Sequence, residues 1–311
     1  MRGMFHNSQG RPRFWLDWPE ESLNNDQQVL SWSEPGSNIC LDLHGNPADA
    51  SLVVFSDGNH HMALKDCLDL FQEQNSELEG IFYLTTPPGP ILKLLSKGSI
   101  KLGNLQLKFS PHVFISPPGV LDNLVKQGWM ADHLPFVRNQ GNVLLVRKGN
   151  PKKITRVRDL AQKDVRIFLS NPRTEQASYQ AYTRTLEALA PGPDFVQSRV
   201  RSGQVVMGRS IHHREAPQAL VDGVADVAVV FYHLGLRYIR IFPELFTLIP
   251  LGGSIESPDP LPGNVISRTH MGLIHGGGLW GRKLISFLGS AEAMEVYQRH
   301  GLCRMVQEPC P

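Results

Sequence analysis

Leu52-Val53-Val54-Phe55-Ser56-Asp57-Gly58-Asn59-His60-His61-Met62-Ala63-Leu64 is the stretch on which the fold turns. Its first four residues form an unbroken apolar run, the pattern of a strand buried on both faces. Ser56 to Asn59 is turn and cap chemistry, rich in residues whose short polar side chains bond nearby backbone. From His60 to Glu73, apolar residues recur at Ala63, Leu64, Cys67, Leu68, Leu70 and Phe71, which is helical spacing. Strand, polar turn, helix is the opening of a βαβ unit.

The same order repeats outward. Gly80 to Leu84 reads as a strand, Thr85 to Pro90 as a turn, and a helix ends near Gly98. Val113 to Ser116 is a further strand that leads through Pro117-Pro118-Gly119 into a helix from Val120 to Gln127. After a strand at Asn142 to Val146, a second series begins. It has strands at Val165 to Leu169, Gln204 to Met207 and Val227 to Phe231, and helices at Gln176 to Leu189 and Ala216 to Val221. Ala291 to Arg299 is an amphipathic helix stopped by Gly301. Alternating strands and helices predict an α/β fold with largely parallel sheets. Residues 1 to about 50 are irregular and read as an appendage, packed through Trp15, Trp18 and Trp32.

The chain has 311 residues, of which 41% are hydrophobic and 19% charged, enough apolar matter for more than one core. A net charge of +2 carries no clustered basic face, which argues against a nucleic-acid or membrane-surface binder. The cysteines Cys40, Cys67, Cys303 and Cys310 contain no CxxC pair, so a zinc knuckle or thioredoxin-type motif is absent. Cys67 falls on an apolar helical stripe and reads as a buried thiol. Cys303 and Cys310 are available to pair in an oxidising compartment. No apolar run approaches the ~18 residues of a membrane span.

In folds of this class, ligands bind beyond the carboxyl ends of the strands, where helix N-termini present unpaired N–H groups and partial positive charge. Four such mouths are legible: Ser56 to His61, Thr85 to Pro90 with Thr86, Asn171 to Ser178, and His212 to Ala216. Ordinary helix capping is the plainer reading of any one of them. Histidines His60, His61, His112, His212, His213 and His233 fall at strand ends or helix starts, where imidazole can bond an oxyanion or ligate a transition metal. No HExxH, GxSxG, GxxxxGK[ST] or strand-following GxGxxG occurs, and Glu175 has no identifiable partner carboxylate or nucleophile. The residues point to a binding protein with no cofactor and no catalytic role.

Several of these segments together resemble a known family. Phe55 to Leu64 looks like the first strand-loop-helix of molybdate-type periplasmic binding proteins, the receptors of ABC transporters. His112-Val113-Phe114-Ile115-Ser116 is similar to their Asp-Val-Phe-Ile-Ser strand, and Asn142 to Val146 with Lys148-Gly149-Asn150-Pro151 to their inter-lobe strand. Val157 to Leu160, Val165 to Ile167 with Asn171-Pro172, Gly223 to Tyr232, and Phe287 to Gly301 match further segments in order. The resemblance spans about residues 50 to 303.

It implies a type II fold of two lobes that close on a ligand, with lobe 1 from residues 51–141 and 238–311 and lobe 2 from 142–237. The family's binding positions carry over to Asn59, about Gly89, the loop from Glu175 to Ser178, and Tyr232. Ser56, His60, Thr86, His213 and Arg214 line the same expected mouths. The implied ligand is a small oxyanion of the molybdate or tungstate kind, passed to an ABC permease. A divalent-metal receptor using His60, Glu175 and His213 is the alternative, and a cytosolic sensor on the same fold is another. The resemblance implies the periplasm, whereas the polar opening MRGMFHNSQGRPRFWLDWPEES lacks the apolar core of a signal peptide, which leaves the cytosol, another export route, or a native precursor that starts elsewhere.

Overall fold

A computed structural model describes residues 4–6, 12–14, 43–86, 88–102, 105–108, 110–209 and 212–305. Trp15, Trp18, Trp32, Cys40 and Cys310 lie outside the described residues, and with them the expected tryptophan packing and Cys303–Cys310 pairing. A short antiparallel pair, β1 (Met4–His6) with β2 (Pro12–Phe14), comes first.

The remaining described residues fall into two compact units, one of residues 139–267 and one of residues 39–138 with the segment from 268 onward. At the two ends of the 139–267 unit, the Asn139 N–H donates to the Ser267 carbonyl at 3.0 Å. This unit runs on to 267, where the sequence reading ended the second lobe at 237. The physical reason is an unread strand, Phe246–Pro250, that pairs antiparallel with Asn142–Arg147 and ties the intervening chain to the second unit.

In the first unit, β3 (Leu43–His44), β4 (Leu52–Ser56), α1 (His61–Glu73), β5 (Ile81–Thr85), α2 (Pro88–Lys97), β6 (Ser99–Leu102), β7 (Leu105–Lys108), β8 (Val113–Ser116), α3 (Pro118–Lys126) and β9 (His133–Arg138) follow in order. Strand β3 pairs with β5 and buries His44, so the boundary drawn at residue 50 falls inside the sheet. All five residues of β4 are buried, and they divide by the two-residue period of a strand. Leu52 and Val54 pack into one core cluster with α1, and Val53 and Phe55 into another with Ile91, Leu95, Leu121 and Leu124 of α2 and α3. A continuous apolar run is what a strand covered on both faces requires.

The second unit contains β10 (Asn142–Arg147), β11 (Ile167–Leu169), α4 (Gln176–Leu189), α5 (Phe195–Arg201), β12 (Val205–Met207), α6 (His212–Val221), β13 (Val227–Phe231), α7 (Tyr232–Ile241) and β14 (Phe246–Pro250). The chain then returns to the first unit as β15 (Arg268–Leu273), α8 (Gly278–Leu288), α9 (Ala291–Arg299) and β16 (Cys303–Arg304). The sheet orders are β16-β9-β15-β8-β4-β5-β3 and β12-β11-β13-β10-β14. Each has a parallel core of three strands, β8-β4-β5 and β12-β11-β13, as repeated strand-turn-helix demands. Antiparallel strands widen both sheets, which makes them mixed. The parallel cores direct the loops after β4, β5, β8, β11, β12 and β13 to the carboxyl ends where helices begin.

Candidate functional site

The loop after β4 is closed upon itself. Ser56 is fully buried, and its hydroxyl donates to the Asp57 carbonyl at 3.0 Å. That proton assignment makes Ser56 Oγ the acceptor for His60 Nε2–H at 3.0 Å. His60 Nδ1 is then left with a lone pair, which takes the Tyr297 hydroxyl proton at 2.9 Å. His60 is 2% exposed, with its ring against Phe136 and Tyr297. His60, expected as a ligand or metal donor, has each ring nitrogen within hydrogen-bond distance of a protein hydroxyl. Its partner comes from α9, far along the chain, which is why the local sequence did not reveal it.

Asp57 is buried beside this chain, and its carboxylate caps the 3-10 turn Gly58–His60 through the Asn59 N–H at 3.2 Å. Burial pushes its pKa up to about 6, against the lowering effect of that bond. Asn59 is partly exposed at the turn. Thr86 is buried, and its N–H donates to the Ser56 carbonyl at 3.1 Å. Gly89 is exposed on the first turn of α2, with nothing within 4 Å of where a Cβ would stand, so nothing there requires glycine. Ser116, at the carboxyl end of β8, is buried with its hydroxyl unpartnered, and the sequence reading did not single it out.

The loop after β11 is built differently. Ser170 directly follows the strand, is fully buried, and its hydroxyl has no hydrogen-bond partner. Asn171 ties this loop to the next one, donating to the Gly208 carbonyl at 3.0 Å. Glu175, the residue before α4, is buried and accepts the His212 N–H at 2.7 Å, so it caps α6 rather than its own helix. Burial pushes the Glu175 pKa up to about 7, which the His212 N–H bond opposes and the nearby Glu215 charge reinforces. Ser178 is buried on the first turn of α4.

His212 stacks between Phe168 and Tyr182 at ring distances of 5.4 and 5.0 Å, and burial pushes its pKa down to about 3, so it is neutral. His213 and Arg214 are buried on the same first turn of α6. Pro217 has no N–H to bond the carbonyl of His213. The Tyr238 hydroxyl donates to that carbonyl instead, at 2.6 Å, and pins the start of α6 to α7. The helix opens four residues before the expected Ala216, which places both histidines inside it. Tyr232 opens α7, and its hydroxyl donates to the Ile255 carbonyl at 2.6 Å.

Capping was the plain reading of these loops, yet α1, α3, α4 and α7 all begin without a side-chain cap. The helix α9, by contrast, is capped by Ser290 through the Ala293 N–H. At these four helix starts the preceding side chain leaves the first-turn N–H groups uncapped, the arrangement that suits an anion. Among the described residues, no three His, Cys, Asp or Glu side chains converge on a metal-sized point.

Residues 52–302 match a family model described as bacterial extracellular solute-binding protein. No curated protein matches the chain. Among solved structures, the sulfate-binding protein SubI from Mycobacterium tuberculosis aligns at TM-score 0.60 and 16% identity, covering 82% of this chain and 87% of that one. The Azotobacter vinelandii periplasmic molybdate-binding protein aligns at 0.56 and 16%, covering 83% and 100%. Iron-bound HitA from Pseudomonas aeruginosa aligns at 0.58 and 13%, covering 84% and 89%. At these identities the likeness shows the fold, that of type II periplasmic binding proteins.

Proposed function

Because the chain belongs to the bacterial extracellular solute-binding family, we propose that it captures a small tetrahedral oxyanion of the molybdate, tungstate or sulfate class for delivery to an ABC-type permease. The observation that carries this reading is the mouth after β11. There the buried, unpartnered Ser170 hydroxyl stands at the strand end that leads into the uncapped start of α4. A hydroxyl donor, first-turn N–H groups and the buried His213 and Arg214 on α6 form a donor-rich set suited to oxyanion oxygens. Ser178 contributes from the α4 first turn, and Asn59, Ser116 and Thr86 offer donors at the mouths of the first unit.

Glu175 shapes the reading. An ionised carboxylate repels an anion, whereas its protonated form donates a hydrogen bond. With a pKa of about 7, Glu175 is half protonated at neutral pH. The site is expected to take its anion more tightly as the pH falls. Neighbours whose names include molybdate, sulfate and tungstate support an oxyanion. The iron-bound neighbour supports a second reading, a transition-metal receptor using His60, Glu175 and His213.

The test is thermal unfolding of metal-stripped protein with molybdate, tungstate, sulfate and phosphate. A ligand at about 100 times its Kd stabilises by ~2.7 kcal/mol. A rise with one oxyanion that Ser170→Ala abolishes is the expected result, and no rise with any of the four overturns the proposal.

A further inference from the structure

On the first unit, three titratable side chains form a short chain. Asp122 on α3 accepts from His133 Nε2 at 3.0 Å, and His133 Nδ1 lies 2.9 Å from His270 Nδ1. His133 opens β9 and His270 sits on the adjacent β15, so a paired strand ladder holds both rings on one surface. Asp122 is 56% exposed and the His133 side chain 14%, which leaves the cluster open to solvent on the α3 side. Ser116, with its buried and unpartnered hydroxyl, stands directly opposite His270 in the register of β8 and β15.

The proton bookkeeping is specific. The Asp122 carboxylate accepts only, so His133 carries its proton on Nε2 and presents a lone pair at Nδ1. A carboxylate that holds the far nitrogen of a histidine is the outer-shell arrangement that orients metal-binding imidazoles. In the metal-free protein, His270 Nδ1–H fills the gap by donating to that lone pair. Moving this proton to His270 Nε2 turns both Nδ1 atoms into donors of electron pairs, with no net proton gained or lost.

We propose that His133 and His270 form a surface site for a divalent transition metal, with Asp122 as the positioning residue and water completing the coordination. The nitrogens stand 2.9 Å apart, the length of the N–H···N bond whose proton an ion would displace. Imidazole suits copper, nickel and zinc, and the general affinity order places copper(II) above the other two. Burial above all, then the His133 ring, lowers the basicity of His270; Asp122 opposes this, and the Arg268 charge adds to it and offsets part of the attraction for a cation. This site is independent of the oxyanion reading, since it shares no ligand with the mouth after β11.

The test is calorimetric titration of the full metal-stripped chain with Ni2+, Cu2+ and Zn2+, with the His133→Ala/His270→Ala double variant as the reference for binding elsewhere. The expected result is one site, tightest for Cu2+, absent from the double variant, with two imidazole nitrogens in the copper electron-spin spectrum. Asp122→Asn is expected to weaken that site by about 10- to 100-fold with the metal-free melting temperature unchanged. His270→Gln serves in place of an alanine variant that does not fold. Titrations of wild type and double variant that superimpose overturn the proposal, and an unchanged affinity in Asp122→Asn overturns the role given to Asp122.

Discussion

The loop after β4 and the loop after β11 begin alike, each with a buried serine at the end of a parallel strand, yet they do opposite work. Ser56 passes its proton to a backbone carbonyl and accepts from His60, whose other nitrogen holds Tyr297. The chain of bonds is complete and internal, so this loop fastens α9 to the start of α1. Ser170 has no such partner, and the residues around it carry perturbed groups, with Glu175 raised to about 7 and His212 lowered to about 3. Satisfied polar groups signal structure, and an orphaned donor beside an uncapped helix signals a ligand. The two histidine-rich mouths that looked equivalent in sequence separate on this criterion.

The largest effect that tests the contrast is on stability. His60→Ala leaves the buried Tyr297 hydroxyl without its acceptor, takes the His60 donor from Ser56 and opens a void, so a loss of about 3 kcal/mol is expected in urea unfolding. Ser170→Ala removes no protein hydrogen bond and should leave the urea midpoint nearly unchanged while abolishing the oxyanion response. Equal losses in both variants break the comparison.

Next in size is the pH dependence of stability. Asp57 and Glu175 have folded pKa values raised to about 6 and about 7, above their ordinary values. Each is neutral in both states at low pH and costs free energy once ionised in the fold. The stability they allow is therefore fully present below about pH 4 and lost as pH rises through about 6 and then 7, by roughly 2–3 kcal/mol each. Melting curves of the ligand-free protein from pH 4 to 9, with Asp57→Asn flattening the lower step and Glu175→Gln the upper, check this assignment. A curve that both substitutions leave unchanged would sink it.

The smallest effect concerns the ligand. Ionised Glu175 opposes an anion by about 1.4 kcal/mol at partly buried distances, so oxyanion affinity should rise about tenfold between pH 8.5 and pH 5.5. Glu175→Gln should hold the high-affinity value across that range. An affinity that climbs with pH instead places Glu175 as a ligand to a metal-like centre.

Much of the architecture was legible because its signals are local. The runs Val113–Ser116 and Val227–Phe231 and the helix Ala291–Arg299 appear in the structure with the bounds read from apolar periodicity. The antiparallel strands β14 and β15 were not read, since Phe246–Pro250 and Arg268–Leu273 mix buried and partly exposed positions and their pairing depends on distant strands. That omission ended the second lobe about thirty residues before the 139–267 unit ends. Within the mouths, Glu175 was singled out from position alone, and its bond to His212 explains its burial. Ser170 and Ser116 passed unnoticed, because a serine after a strand looks the same whether or not a partner reaches it.

By itself, the sequence determined the strand-turn-helix order, the apolar interiors of the parallel strands, and a family resemblance that the match over residues 52–302 bears out. These follow from side-chain spacing and turn chemistry, which neighbouring residues settle among themselves. Only the tertiary structure decided which polar groups are spoken for. His60 became a fastening because Tyr297 arrives from α9, and Ser170 became a binding candidate because nothing arrives. A hydrogen bond needs its partner within about 3 Å, and for a buried side chain the fold, not the neighbouring sequence, brings it there.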